Sequence, residues 1–172
     1  LAHLDFETEL SCAAQAGFKT VGLRMNKLQD YLAAGHTVEE AKQLTVKYGL
    51  DPVEMNFFAN WLFATKEKQP EVFAKFREFA EISKQIGSKI LVCPTGYEYE
   101  ENKDMGMAIE NYQEICKIAA ENNLIAGLEF VPWSEVGNVK KTWEIIERVN
   151  HPHGGLVLDC FHFFEGGSTL AD

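Results

Sequence analysis

The chain has 172 residues, 46% of them hydrophobic, with 16 Lys and Arg against 26 Asp and Glu and a formal charge of −10. That length and apolar content support one buried core, hence a single domain over residues 1–172, and argue against disorder. The acidic balance without a basic stripe argues against a nucleic-acid partner, and apolar runs of only about four to six residues leave nothing to span a membrane.

The first predicted helix covers residues 5–17, where Phe6, Leu10, Ala13 and Ala14 share a face, Asp5 caps the start and Gly17 stops it. TVGLRM (20–25) then reads as a strand. Residues 37–49 open on Thr37 and Glu40, a capping-box spacing, and end on a glycine before Pro52 and the strand VEMNFF (53–58). In the helix predicted at 70–87, Val72, Phe73, Phe76, Phe79, Ala80 and Ile82 recur at three- and four-residue spacing, and KILVCP follows as a strand. Residues 105–123 place Ile109, Tyr112, Ile115, Cys116 and Ala119 on one face, ahead of the strand IAGLEFV (125–131). The last helix, at 139–149, carries Trp143, Ile145, Ile146 and Val149, and GGLVLD follows.

Five helix-then-strand units at a period of roughly 30 to 37 residues indicate βα units and a parallel sheet. An eight-stranded barrel takes about 250 residues. The chain therefore reads as an α/β fold, a (β/α)8 TIM barrel incomplete in this chain, with about five to six βα units. A first strand ahead of Leu1 and the C-terminal units beyond Asp172 are expected to be lacking. An open doubly wound sheet competes, but no GxGxxG or GxxxxGK[ST] loop follows any strand. LAHLDFETEL lacks the basic-then-apolar order of a secretory leader, and Cys12, Cys93, Cys116 and Cys160 form no CxxC pair. Free thiols in a cytoplasmic protein are expected.

Parallel strands carry their chemistry at the carboxyl ends. Leu156, Val157 and Leu158 form a short apolar strand, and Asp159 and His162 follow it; Glu129 stands among apolar neighbours at the end of the preceding strand. Each has a plain alternative. Asp159 either caps a turn or binds a ligand, and His162 is either a satisfied core histidine among Phe161, Phe163 and Phe164 or a functional one. Glu129 is harder to set aside, because a carboxylate inside an apolar strand needs a partner or a cation. Trp133 either stacks on a sugar face or seals the barrel top. Arg24 either meets an anionic group of the substrate or pairs with Glu54 on the next strand. Phe58 and Trp61 either wall the pocket or belong to the core. His151 and His153 have HxH spacing but precede their strand, on the side of the barrel that serves stability. Cys93 and Cys160 read as small core residues, and residues 98–104 as a solvated loop.

Two segments carry a family resemblance. LEFVPWSEV and LDCFHFFEGGS resemble the fifth- and sixth-strand motifs of the sugar-phosphate isomerase and epimerase family of xylose isomerase-like barrels, which includes ketose 3-epimerases, inosose isomerases and inosose dehydratases. The resemblance implies that Glu129 and Asp159 are metal ligands and that His162 contacts the substrate or the metal-bound water. It further implies a histidine and a glutamate on later strands, beyond residue 172. Related barrels with three zinc ions cleave DNA, but here MNFFAN and VCPTGY lack the histidines they need.

The residue chemistry agrees with that implication. A divalent Mn, Mg, Co or Zn ion held by carboxylates and one imidazole polarises adjacent carbonyl and hydroxyl oxygens of a keto sugar; the resemblance extends the substrate class to a sugar phosphate or an inosose. Glu129 is the candidate base, with an enediolate as the product of proton abstraction. The expected activity is therefore a metal-dependent isomerase or epimerase acting on a small carbohydrate. The alternatives are a dehydratase of the same family and a non-catalytic partial barrel completed by a partner chain; a homo-oligomer stays open.

Overall fold

A computed structural model describes residues 3–96 and 103–171. Of the predicted solvated loop, residues 98–102 lie outside the described residues. Lys103 pairs with Glu135 at 3.0 Å, and Asp104 caps the helix that follows.

The described residues form seven helices and five strands: α1 (Phe6–Gln15), β1 (Thr20–Arg24), α2 (Met25–Ala33), α3 (Val38–Lys47), β2 (Asp51–Asn56), α4 (Gln69–Ile86), β3 (Ile90–Pro94), α5 (Met105–Glu121), β4 (Ile125–Glu129), α6 (Val139–Val149), β5 (Gly154–Val157) and α7 (Cys160–Glu165). Five of the seven helices start on a side-chain cap, in which an oxygen takes one of the orphan N–H groups of the first turn. Asp5 accepts from the Thr8 amide at 2.8 Å, Asn138 from Lys141 at 3.0 Å, and Thr37 and Glu40 close a reciprocal capping box.

The strands are all parallel and lie side by side in chain order, β1-β2-β3-β4-β5. A doubly wound sheet reverses its order at a switch point; this one never does, so every crossover runs the same way round, as in a barrel wall. Paired residues on neighbouring parallel strands share a face. One face carries Leu23, Met55, Leu91, Cys93, Ala126 and Leu128, all buried in one core cluster with Phe76, Phe79, Tyr112, Ile115 and Ile145 of the helices. The other face carries Arg24, Glu54, Asn56, Glu129 and Val157, all half-buried.

Two polar side chains tie the layers together. Tyr112 Oη accepts from the Gly155 amide at 3.0 Å and lies 2.9 Å from the Ala126 carbonyl, bridging α5 to β4 and β5. The buried Asn111 amide donates to the carbonyls of Leu62 and Ala64, both at 3.0 Å, and fixes the segment between β2 and α4.

Several expectations are corrected. α2 and α7 are helices outside the five predicted helix-then-strand units. β2 ends at Asn56 rather than at residue 58. Phe58 and Trp61 take the core alternative of the two offered by the sequence: Phe58 packs edge-on against Phe76, and the fully buried Trp61 donates its Nε1–H to the Pro94 carbonyl at 3.1 Å. Cys160 opens α7 and is exposed, whereas Cys93 is buried as expected. Trp143, though apolar, is also exposed on α6. No helix among the described residues is long and apolar enough to cross a membrane.

Candidate functional site

Glu129 is the last residue of β4, on the partly covered face, in register with Pro94 of β3 and Val157 of β5. Its pleat position sends it away from the apolar cluster that buries Leu128 beside it. Two residues beyond Val157, Asp159 caps α7. One of its carboxylate oxygens accepts from the His162 amide at 3.0 Å, and its carbonyl accepts from Phe163 at 2.8 Å. The turn-capping reading of Asp159 is thus correct, and it is compatible with a second role: the cap uses one oxygen, and the first turn of α7 carries His162 back over β4.

Glu129, Asp159 and His162 each bring a ligand atom within 4.8 Å of the other two. All three are half-buried. Burial pushes the Glu129 carboxyl up from its usual 4.5 to about 7, with the negative charges of Asp159 and Glu54 adding to the effect. His162 Nδ1 is buried without a hydrogen-bond partner among the described residues. An anionic pair with an orphaned imidazole nitrogen is the donor set a divalent cation of intermediate hardness takes. The residues present therefore fit the metal that the sequence implies.

Aromatic rings frame the cluster. Trp133, four residues past Glu129, stands edge-on to the His162 ring with centroids 5.5 Å apart and stays 59% exposed, while Phe161 meets the same ring at 5.6 Å. Arg24 is not paired with Glu54, as the sequence suggested. Its guanidinium is engaged by Glu9 of α1, and Glu54 instead accepts from Asn56 Nδ2 at 3.0 Å. His151 and His153 sit ahead of β5, at the far end of the sheet from Glu129, with Nδ1 of His153 2.6 Å from the Leu124 carbonyl and Nδ1 of His151 accepting from the His153 amide. They stay outside the site, as expected.

The electrostatic influence of Glu54 on Glu129 was missed from sequence, although period-two alternation in Asp51–Asn56 already placed Glu54 and Asn56 on one face. No signal in the sequence singled out Thr95, whose hydroxyl lies beneath the loop that follows Glu129.

Residues 10–172 match the xylose isomerase-like TIM barrel family, and the chain belongs to it. It is 26% identical to an inosose isomerase of Halalkalibacterium halodurans, over all of this chain and 63% of that protein. A 3-dehydroshikimate dehydratase of Pseudomonas aeruginosa is 20% identical over 90% of this chain and 24% of its own length. Among solved structures, the IOLI protein with a binding zinc atom superposes with a TM-score of 0.80 at 26% identity, covering 96% of this chain and 60% of that one. The chain spans less than two thirds of the inosose isomerase it matches.

Proposed function

We propose that the protein is a divalent-metal-dependent isomerase or epimerase of a keto sugar, sugar phosphate or inosose. The observation that carries this reading is the convergence of Glu129, Asp159 and His162 at adjacent strand ends within one ion's reach, with His162 Nδ1 lacking a hydrogen-bond partner among the described residues. The likeness to inosose isomerase and to a zinc-bearing neighbour supports it.

Glu129 and Asp159 would hold the cation. When bound, it would polarise the substrate carbonyl and its neighbouring hydroxyl and stabilise the charge left by proton removal. Glu129 is the base: a carboxylate at the edge of the cation would take the proton from the carbon beside the carbonyl and return it. His162 contacts a substrate oxygen through its ring, and Trp133 covers an apolar face of the sugar ring. Arg24 reaches the substrate only by exchanging Glu9 for an anionic group. The likeness to 3-dehydroshikimate dehydratases favours, as a second reading, the same proton abstraction followed by loss of a β-hydroxyl.

Incubating the full-length protein with Mn2+ and a panel of inososes, keto sugars and 3-dehydroshikimate in deuterated water tests the reading. Deuterium at the carbon beside the carbonyl, lost in Glu129→Gln, is the expected result. Turnover without label refutes an enediolate route.

A further inference from the structure

Thr95 follows β3, is buried, and plays no part in the chemistry above. Its backbone N–H donates to the Glu129 carbonyl at 2.8 Å. Its hydroxyl accepts from the Val131 amide at 3.1 Å, lies 2.8 Å from Ser134 Oγ and 3.0 Å from the Val136 carbonyl. A hydroxyl has one proton and two lone pairs. Donating to Val136 while accepting from Val131 and Ser134 uses all three, so the loop is gripped at three points by a fully satisfied group.

The grip continues into the neighbouring element. The gripped loop folds tightly at Gly137, where a Cβ would lie 2.7 Å from the Pro132 carbonyl oxygen. The carbonyl of Gly137 in turn presses on the end of α7: a Cβ on Gly166 would stand 2.3 Å from it. Ser168, buried just past α7, accepts from the Val139 amide at 3.3 Å. Thr95 thus connects the backbone that carries Glu129 to the helix that carries Asp159 and His162.

We infer that Thr95 is a positioning residue, whose hydroxyl sets the distance between Glu129 and the Asp159–His162 pair by holding the loop on which α7 is seated. The inference rests on the metal-site reading of that cluster. Supporting groups behind metal ligands change affinity by about 10- to 100-fold when removed. A group that serves packing alone changes melting temperature and leaves affinity where it was.

The test compares wild type, Thr95→Val and Thr95→Ser in the full-length protein by amide hydrogen exchange and by Mn2+ titration. In Thr95→Val, faster exchange at Val131 and at the α7 amides Phe163 and Gly166 is expected, with Mn2+ affinity down by about tenfold or more. Thr95→Ser, which keeps the hydroxyl, restores both. If Thr95→Val fails to fold, Ser134→Ala removes one of the three contacts and is expected to move both readouts the same way by less. Unchanged exchange in these variants, or a changed melting temperature with unchanged Mn2+ affinity, overturns the inference. A wild-type protein that binds no Mn2+ overturns the proposed function instead, and leaves the exchange result to decide Thr95.

Discussion

Replacing Glu129 by glutamine removes a carboxyl that folding makes harder to ionise. Its folded-state value of about 7 lies above the ordinary 4.5, so the folded chain holds this proton more tightly than the unfolded one. The contribution to stability is complete below pH 4.5 and is lost as pH rises toward about 7. The span is 7 minus 4.5, or 2.5 units. At 1.36 kcal/mol per unit the ceiling is about 3 kcal/mol, and contact with solvent on one side lowers this to about 1–2 kcal/mol. Urea unfolding of chelator-treated wild type should therefore lose about that much more stability between about pH 5 and about pH 8 than Glu129→Gln does. Saturating Mn2+ supplies the missing positive charge, and at about 100 times its dissociation constant it should add about 2.7 kcal/mol at the higher pH. Parallel pH profiles for wild type and variant would refute the account of Glu129.

Substitutions at Asp159, Gly127, Val157 and Tyr112 test other parts of the account. Asp159→Asn keeps a good N-cap and loses the charge, so melting temperature should change little while Mn2+ binding falls sharply; Asp159→Ala should in addition lose about 1 kcal/mol of stability. Gly127→Ala places a Cβ 2.5 Å from Val157 Cγ2 and should cost about 1–3 kcal/mol in urea unfolding. Adding Val157→Ala should recover part of it as a coupling of about 0.5–3 kcal/mol. Tyr112→Phe leaves the Gly155 amide and the Ala126 carbonyl short of a partner and should lower stability by about 1–3 kcal/mol, with catalysis unchanged per folded molecule.

Glu129, Asp159 and His162 were legible because carboxylates and an imidazole interrupt apolar strand ends, where neither burial nor solubility calls for them. The helix-then-strand rhythm was legible for the same reason: Phe76 and Phe79, or Tyr112 and Ile115, recur at helical spacing, whereas ILVC does not. α2 was not, because it begins on the residue after β1 with Arg24 at its N-cap position and no side-chain cap to announce it. α7 was hidden by the chemistry of its own start. Asp159 reads in sequence as the cap of a turn or as a ligand, and only the bond from the His162 amide makes it the N-cap of a helix. The pairing of Arg24 could not be read from strand alternation, which offered Glu54 on the next strand and gave no view of Glu9 on the preceding helix. Cys160 looked like a core residue because the strand was extended too far; once β5 ends at Val157, the cysteine becomes the exposed first residue of a helix.

Anomalous diffraction from crystals of the full-length protein grown with Mn2+ tests the central claim most directly. The account predicts one strong manganese peak within bonding distance of carboxylate oxygens of both Glu129 and Asp159, with the His162 ring facing the same space, and its loss in Glu129→Gln. Absence of a peak there, or a peak that persists in Glu129→Gln without a carboxylate from β4, would contradict it.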